Sequence, residues 1–200
     1  MDGKPASPAP SPTGFHNGSF FGNWSVPRVV EVGVAAHQLY SQITFPYLDV
    51  YLGIVMVFDA DCNTVNPPCQ TGPNAGHVHC RLAWSPDLTN WSWVDAGGLT
   101  GSDFIPAGPP GSFDSHVCFA AHMPIITEDG RIRLYYMGGD GPHDNGGQDK
   151  SGVGRNTSFG LALLRPDGFA GISGTGSTTT RLLRASGTAV TVTADCAPGG

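Results

Sequence analysis

The chain has 200 residues, enough for one domain with a core of its own, and a formal net charge of −6. No cluster of Lys and Arg is present to meet a phosphate backbone, which argues against nucleic acid as a partner, and no apolar run reaches the ~18 residues of a membrane span. Glycine (29) and proline (17) make up nearly a quarter of the residues, a load that disfavours long helices and favours short strands joined by turns.

Residues 1–14 are proline-rich, prefer extended polyproline II and read as a disordered tail that packs no core. Residues 15–30 mix aromatics with the turn signals N-G and G-N. From Val29 to Leu39 two readings stand side by side. Ala35, Ala36 and Leu39 fit a helix, whereas Val30, Val32 and Val34 fit a strand.

Tyr47 to Phe58 is β-branched and aromatic and reads as a central strand. A long polar loop follows, Asp59 to Gly76, in which Cys62 and Cys69 bracket N-T-V-N-P-P and are placed to staple the loop in an oxidising compartment. His77 to Trp84 is the next strand, with His77, His79 and Arg81 on one face and Val78, Cys80 and Leu82 on the other. The run S-P-D-L-T-N-W-S-W is a tight turn opening a short strand.

Gly111 to Gly139 is the most informative stretch. Two apolar runs flank the turn Glu128-Asp129-Gly130, and D-G between strands signals a hairpin. The second run alternates, Arg131 and Arg133 against Ile132 and Leu134. Polar residues gather at its ends: Asp114, Ser115 and His116 before the first run, Asp140 and His143 after the second. Asp140 to Asn156 is a polar, glycine-rich loop of the kind that lies over a site. Phe159 to Leu164 is another strand, closed by the turn R-P-D-G-F, and Arg181 to Leu183 and Ala189 to Thr193 are short strands. A unit of strand, strand, turn, strand thus occurs at 42–95 and again at 114–173. This spacing suits the blades of a propeller, with a β-sandwich as the rival architecture.

None of the five cysteines forms a CxxC pair, so a zinc ribbon is not supported. N-x-S/T sequons stand at Asn17, Asn23, Asn90 and Asn156. Together with Cys62 and Cys69 they point to a secreted or extracellular chain, although the first twelve residues lack the basic start and apolar centre of a signal peptide.

The blocks Y-L-G-I-V-M-V-F (51–58), H-C-R-L-A-W-S-P-D-L-T-N-W (79–91), F-I-P-A-G-P-P-G-S-F-D-S (104–115), I-R-L-Y-Y-M-G-G (132–139) with His143, and G-L-A-L-L-R-P-D-G-F-A-G (160–171) resemble the later blades of five-bladed propeller glycoside hydrolases. That group includes β-fructosidases, levanases and arabinofuranosidases. The tail A-V-T-V-T-A-D-C-A-P-G-G (189–200) resembles the start of the β-sandwich that follows such a propeller. The resemblance implies an all-β fold, with a partial propeller over 15–175 and the beginning of a sandwich, or a tail, over 176–200. It implies cleavage of a glycosidic bond in an oligo- or polysaccharide, without a cofactor. No segment before Asp49 matches the first-blade carboxylate of the family, and only two or three blades are present. The alternative is therefore a non-catalytic carbohydrate-binding or structural remnant, as a monomer or an oligomer the sequence does not define.

Glycoside hydrolysis needs two carboxyl groups flanking the scissile bond. Asp114, in F-D-S at the head of an apolar strand, is the candidate catalytic carboxylate; its plainer reading is a turn cap. His143, Asp59, His116 and Asp140 are candidate substrate-binding residues, each a polar group at a strand end. Asp87 and Asp167 read as turn residues, and Trp84, Trp91 and Trp93 as core. His77 with His79, and His116 with His122, share strand faces without implying three convergent metal ligands. Neither a phosphate-cradling glycine loop nor a G-x-S-x-G elbow is present.

Overall fold

The computed structural model describes residues 36–60, 75–143 and 154–172, together with 175–177, 179, 187 and 192. The chain divides into two units, Met1–Ala170 and Gly171–Gly200, and every named strand belongs to the first.

The first unit opens with a long hairpin. β1 (His37–Tyr47) and β2 (Val50–Asp59) pair antiparallel from His37↔Asp59 to Tyr47↔Val50. Leu48 turns the chain with φ 50 and an exposed side chain, so the left-handed backbone is accommodated at the surface. The register shifts between Leu39 and Ser41, which leaves Tyr40 as the extra residue of a bulge. One residue inserted into a period of two changes which side chains face the core. His37 and Leu39 lie opposite Asp59 and Val57, whereas Ile43 and Phe45 lie opposite Ile54 and Leu52.

β3 (Val78–Ser85) pairs antiparallel with β2, and the two-residue β4 (Ser92–Trp93) pairs with β3. A short 3-10 turn, Gly98–Thr100, follows. β5 (Val117–Ala120) and β6 (Ile125–Ile126) both pair antiparallel with β7 (Ile132–Gly139). Pro124 sits between β5 and β6. It has no N–H for a ladder, so what reads in sequence as one apolar run becomes two strands. Gly130, at φ +78, closes the turn into β7. β8 (Thr157–Leu164) pairs antiparallel with β7 along its whole length.

A parallel contact, Val78↔Val117, joins β3 to β5 and merges both meanders into one mixed sheet of eight strands, six in the order β1-β2-β3-β5-β7-β6, with β4 paired to β3 and β8 to β7 off that path. One face carries the main core: Ile54, Met56, Val78, Cys80, Val117, Ile132 and Leu134 are all buried within it. The other face holds a smaller cluster of Val55, Val57 and Ala83, covered by Leu39, Trp91, Trp93 and Leu99. Arg133 and Tyr135 on β7, and Phe159, Leu161 and Leu163 on β8, are exposed.

The propeller expectation, and with it the proposed family, is overturned. Blades are separate four-stranded sheets arranged around a channel. Here the two strand-strand-turn-strand units share one open sheet whose outer strands do not meet. The local pattern is that of a meander, and a meander is common to many sheets. The expected sandwich start at 176–200 lies almost wholly outside the described residues, as do Cys62 and Cys69. The disulfide expectation rests on that Cys62 and Cys69 pair; among the described residues no disulfide occurs, and Cys80 and Cys118 are free, buried thiols. No helix among the described residues is long and apolar enough to cross a membrane.

Leu134 is 1% exposed in the main core, on the strand that joins β5, β6 and β8. Leu134→Ala is expected to lower the unfolding free energy by about 3 kcal/mol. Arg133→Ala, on the open face one residue earlier, changes it by less than ~0.5 kcal/mol. Urea titration of both variants reads the difference.

Candidate functional site

The polar residues collect along one rim of the sheet. β2 ends there at Asp59 and β7 at Gly139, while β1, β3, β5 and β8 begin there. Backbone hydrogen bonds tie these ends in series. Asp59 N donates to His77 O (2.9 Å), Val78 N to His116 O (3.1 Å), His116 N to Gly139 O (2.9 Å) and Asp140 N to Asn156 O (3.3 Å).

At the β7–β8 end of this rim a pocket of about 250 Å³ is lined by His116, Asp140, Gly141, Pro142, Gly154, Arg155 and Asn156. The Asp140 carboxylate accepts from Asn156 N at Oδ1 (2.7 Å) and from Asn156 Nδ2 at Oδ2 (2.9 Å). The Asn156 side chain, and then its backbone N–H, hold the Asp140 carboxyl below its ordinary pKa, so it stays ionised. Arg155 lies over Gly139, where a β-carbon would stand 2.6 Å from the arginine Cδ. Its Nη1 donates to Pro142 O (2.8 Å). The His116 ring has Nδ1 3.0 Å from Ser115 Oγ and stacks at a tilt on His77, with ring centres 4.5 Å apart.

Further along the rim runs a buried chain of charges. Asp59 Oδ1 is 2.8 Å from His37 Nδ1, and Asp59 Oδ2 is 3.2 Å from His79 Nε2. The other nitrogen of His79, Nδ1, is 2.9 Å from Asp103 Oδ2. Arg81 Nη2 lies 3.5 Å from Asp103 Oδ1, an ion-pair contact without hydrogen-bond geometry, and Arg81 Nε and Nη1 have no hydrogen-bond partner among the described residues. Burial disfavours a charge on His79, but hydrogen bonds to two carboxylates outweigh it and lift its pKa to about 9. Burial raises the Asp59 carboxyl as well, yet the bonds from His79 and His37 bring it below its ordinary value. For His77 the attraction of Asp59 and Asp103 is too weak to compensate. Burial first, then the neighbouring His116 and His79, push it down to about 4. At neutral pH this rim therefore holds a charged His79 beside a neutral His77.

Of the residues expected from sequence to form a site, the structure brings His116 and Asp140 together at the pocket. Asp59 belongs to the charge chain and is 4% exposed. His143 is packed among the rings of Tyr40, Phe58 and Phe119, with its backbone N–H on Gly76 O. Asp114 lies against Gly138, accepting from Ser112 Oγ (2.8 Å) and Tyr136 Oη (2.7 Å). Burial and this bond raise the Tyr136 pKa. Asn90 and Asn156 are exposed, and Asn17 and Asn23 lie outside the described residues. Asp87 accepts from Thr89 N and Asn90 N within its turn.

Sequence reasoning passes over Arg155, Asp103 and His37 and takes Asn156 only as a sequon. No local motif marks them. Arg155 and Asn156 reach the pocket because β8 pairs with β7, and Asp103 reaches His79 because Ile105 bridges to Cys80. Among the described residues no group of three His, Cys, Asp or Glu side chains is arranged to hold a metal ion.

No protein-family model matches the sequence, and no curated protein matches it. Two solved structures that do match are a complex named for BT0996 and RGII (20% identity, TM-score 0.42, 64% of this chain and 33% of that one) and a protein named only as a glycoside hydrolase (20% identity, TM-score 0.43, 68% of this chain and 34% of that one). The chain spans about a third of the length of the solved structures it matches.

The two histidines set opposite limbs of a stability profile. His79, raised to about 9, contributes stability that is complete below its ordinary value of 6.5 and is lost as pH rises through 9. His77, depressed to about 4, costs stability as pH falls from 6.5 towards 4, because the unfolded chain takes the proton first. Asp59, also depressed, adds to the loss in acid. Thermal unfolding across pH 4–9 is expected to peak near pH 6.5, the ordinary histidine value. His79→Gln removes the alkaline limb and lowers stability by about 3–5 kcal/mol, the cost of leaving buried charges without their partner.

Proposed function

We propose that this chain binds a saccharide, with one sugar residue of an oligo- or polysaccharide seated in the pocket formed by His116, Asp140, Arg155 and Asn156, as part of a protein that acts on glycosidic bonds. The observation that carries this reading is the convergence of an imidazole, a carboxylate, a guanidinium and a carboxamide on one open pocket at the ends of β5, β7 and β8. Sugar hydroxyls are both donors and acceptors, and such a mixed set satisfies them. At about 250 Å³ the pocket is smaller than the ~300–1,000 Å³ of typical ligand sites, which suits a single ring.

Binding is favoured over hydrolysis by this chain alone. Cleavage needs one ionised and one proton-donating carboxyl flanking the bond. Asp140 is the carboxylate lining the pocket, and both its oxygens accept from Asn156. Asp114 is bonded to Ser112 and Tyr136, and Asp59 to two histidines.

Titration of the chain with mono- and oligosaccharides, followed by amide NMR, is expected to shift the resonances of residues 139–142 and 154–156. Asp140→Ala, which frees Asn156, is expected to weaken binding by about tenfold, the loss of one or two hydrogen bonds to a charged group. An unshifted spectrum across a broad saccharide panel overturns the reading. Release of reducing ends by the chain, abolished in Asp114→Asn, would instead assign hydrolysis to it.

A further inference from the structure

We propose that the sugar held in this pocket is an acidic one, a hexuronic acid whose carboxylate is taken by Arg155. The inference rests on the saccharide reading of the pocket and narrows its ligand class.

The pocket's remaining hydrogen-bonding capacity decides what it can take. Both oxygens of Asp140 already accept hydrogen bonds from Asn156. Asp140, the carboxylate of the pocket among the described residues, thus helps hold the start of β8 against the end of β7; each of its oxygens keeps one further acceptor site, and Arg155 weights the remaining capacity towards donors. Arg155 carries five N–H groups. One of them goes to Pro142 O, and the others have no partner among the described residues. Asn156 Nδ2 uses one hydrogen on Asp140 and retains a second.

Arg155 also differs in its surroundings from two other arginines of the sheet. Arg81 has Asp103 as a counter-ion and Arg131 has Asp129. Arg155 forms no ion pair among the described residues, although it is half-buried and its stem is fixed over Gly139. A guanidinium held in place by packing and by a carbonyl on one Nη presents its other edge as a fork. That fork matches the two oxygens of a carboxylate with parallel N–H···O bonds, whereas a neutral hydroxyl engages one donor at a time. The packing of its stem and the bond to Pro142 O restrict the side chain before a ligand arrives, which lowers the conformational entropy lost on binding.

The test compares glucuronate and galacturonate with their methyl esters and with glucose and galactose, titrated into the full chain and read by calorimetry and amide NMR at low and high salt. A uronate is expected to bind at least about tenfold more tightly than its neutral ester, with the advantage shrinking as salt rises. Arg155→Gln is expected to abolish that advantage, bringing the acid and its ester to the same affinity whatever that affinity is, with circular dichroism unchanged. Equal binding of ester and acid, or of the neutral hexoses, overturns the acidic-sugar inference and leaves the saccharide pocket standing. Absence of binding by every sugar removes the pocket reading and this inference with it.

Discussion

The parallel contact between Val78 and Val117 holds the architecture together. Each meander alone has a buried face and an unfinished one. β1, β2 and β3 form one antiparallel group and β5 to β8 the other. Val78 and Val117 are 2% and 1% exposed, and the main core runs across the seam on both sides of them, from Ile54 and Met56 to Ile132 and Leu134. Parallel pairing without a covering helix is uncommon. Here it is a single register pair, supported by Val78 N on His116 O and by the thiols of Cys80 and Cys118 packed beneath it. The same seam sets His77 beside His116, so the charge chain and the pocket share a rim because the meanders share a core.

The two polar assemblies on that rim differ in how their charges are settled. In the buried chain, Asp59 and Asp103 are answered by His79 and Arg81, and the sum of formal charges is close to zero. Such a group need not add stability beyond that of an apolar replacement, but removing one member leaves another buried without its counter-ion. It therefore fixes the mutual positions of β1, β2, β3 and the 94–105 loop. The pocket is open, and its arginine has no carboxylate among the described residues to answer it. One assembly pairs its charges internally, although Arg81 Nε and Nη1 lack hydrogen-bond partners among the described residues, and the other leaves its arginine without a counter-ion among them.

How much of this is legible in sequence depends on the range of the interaction. Alternation in β7 places Ile132 and Leu134 inward and Arg133 outward, as the residues read. The Glu128-Asp129-Gly130 turn and the shared face of His77, His79 and Arg81 are equally local. Three features are not. The bulge at Tyr40 reverses the facing of β1 midway, which simple alternation does not foresee. Pro124 divides an apolar run into two strands. The parallel seam joins residues 78 and 117, far apart in sequence, and without it a pair of meanders reads as well as propeller blades. His116 and Asp140 stand out because they sit at the ends of obvious strands. Arg155 and Asn156 lie in a loop with no periodicity, and only the β7–β8 register carries them into place.

Gly139 gives the pocket a particular kind of fragility. The position of Arg155 is governed less by the loop that bears it than by the missing side chain on the neighbouring strand, where a β-carbon would also stand 2.6 Å from Val117 Cγ2. The smallest residue in the sheet thus gauges the reach of the longest cation on its rim. A single added methyl would clash with both the arginine stem and a core valine of the seam. Recognition and folding are in this way tested by the same few ångströms, and the surface cannot be retuned at this position without also disturbing the interior.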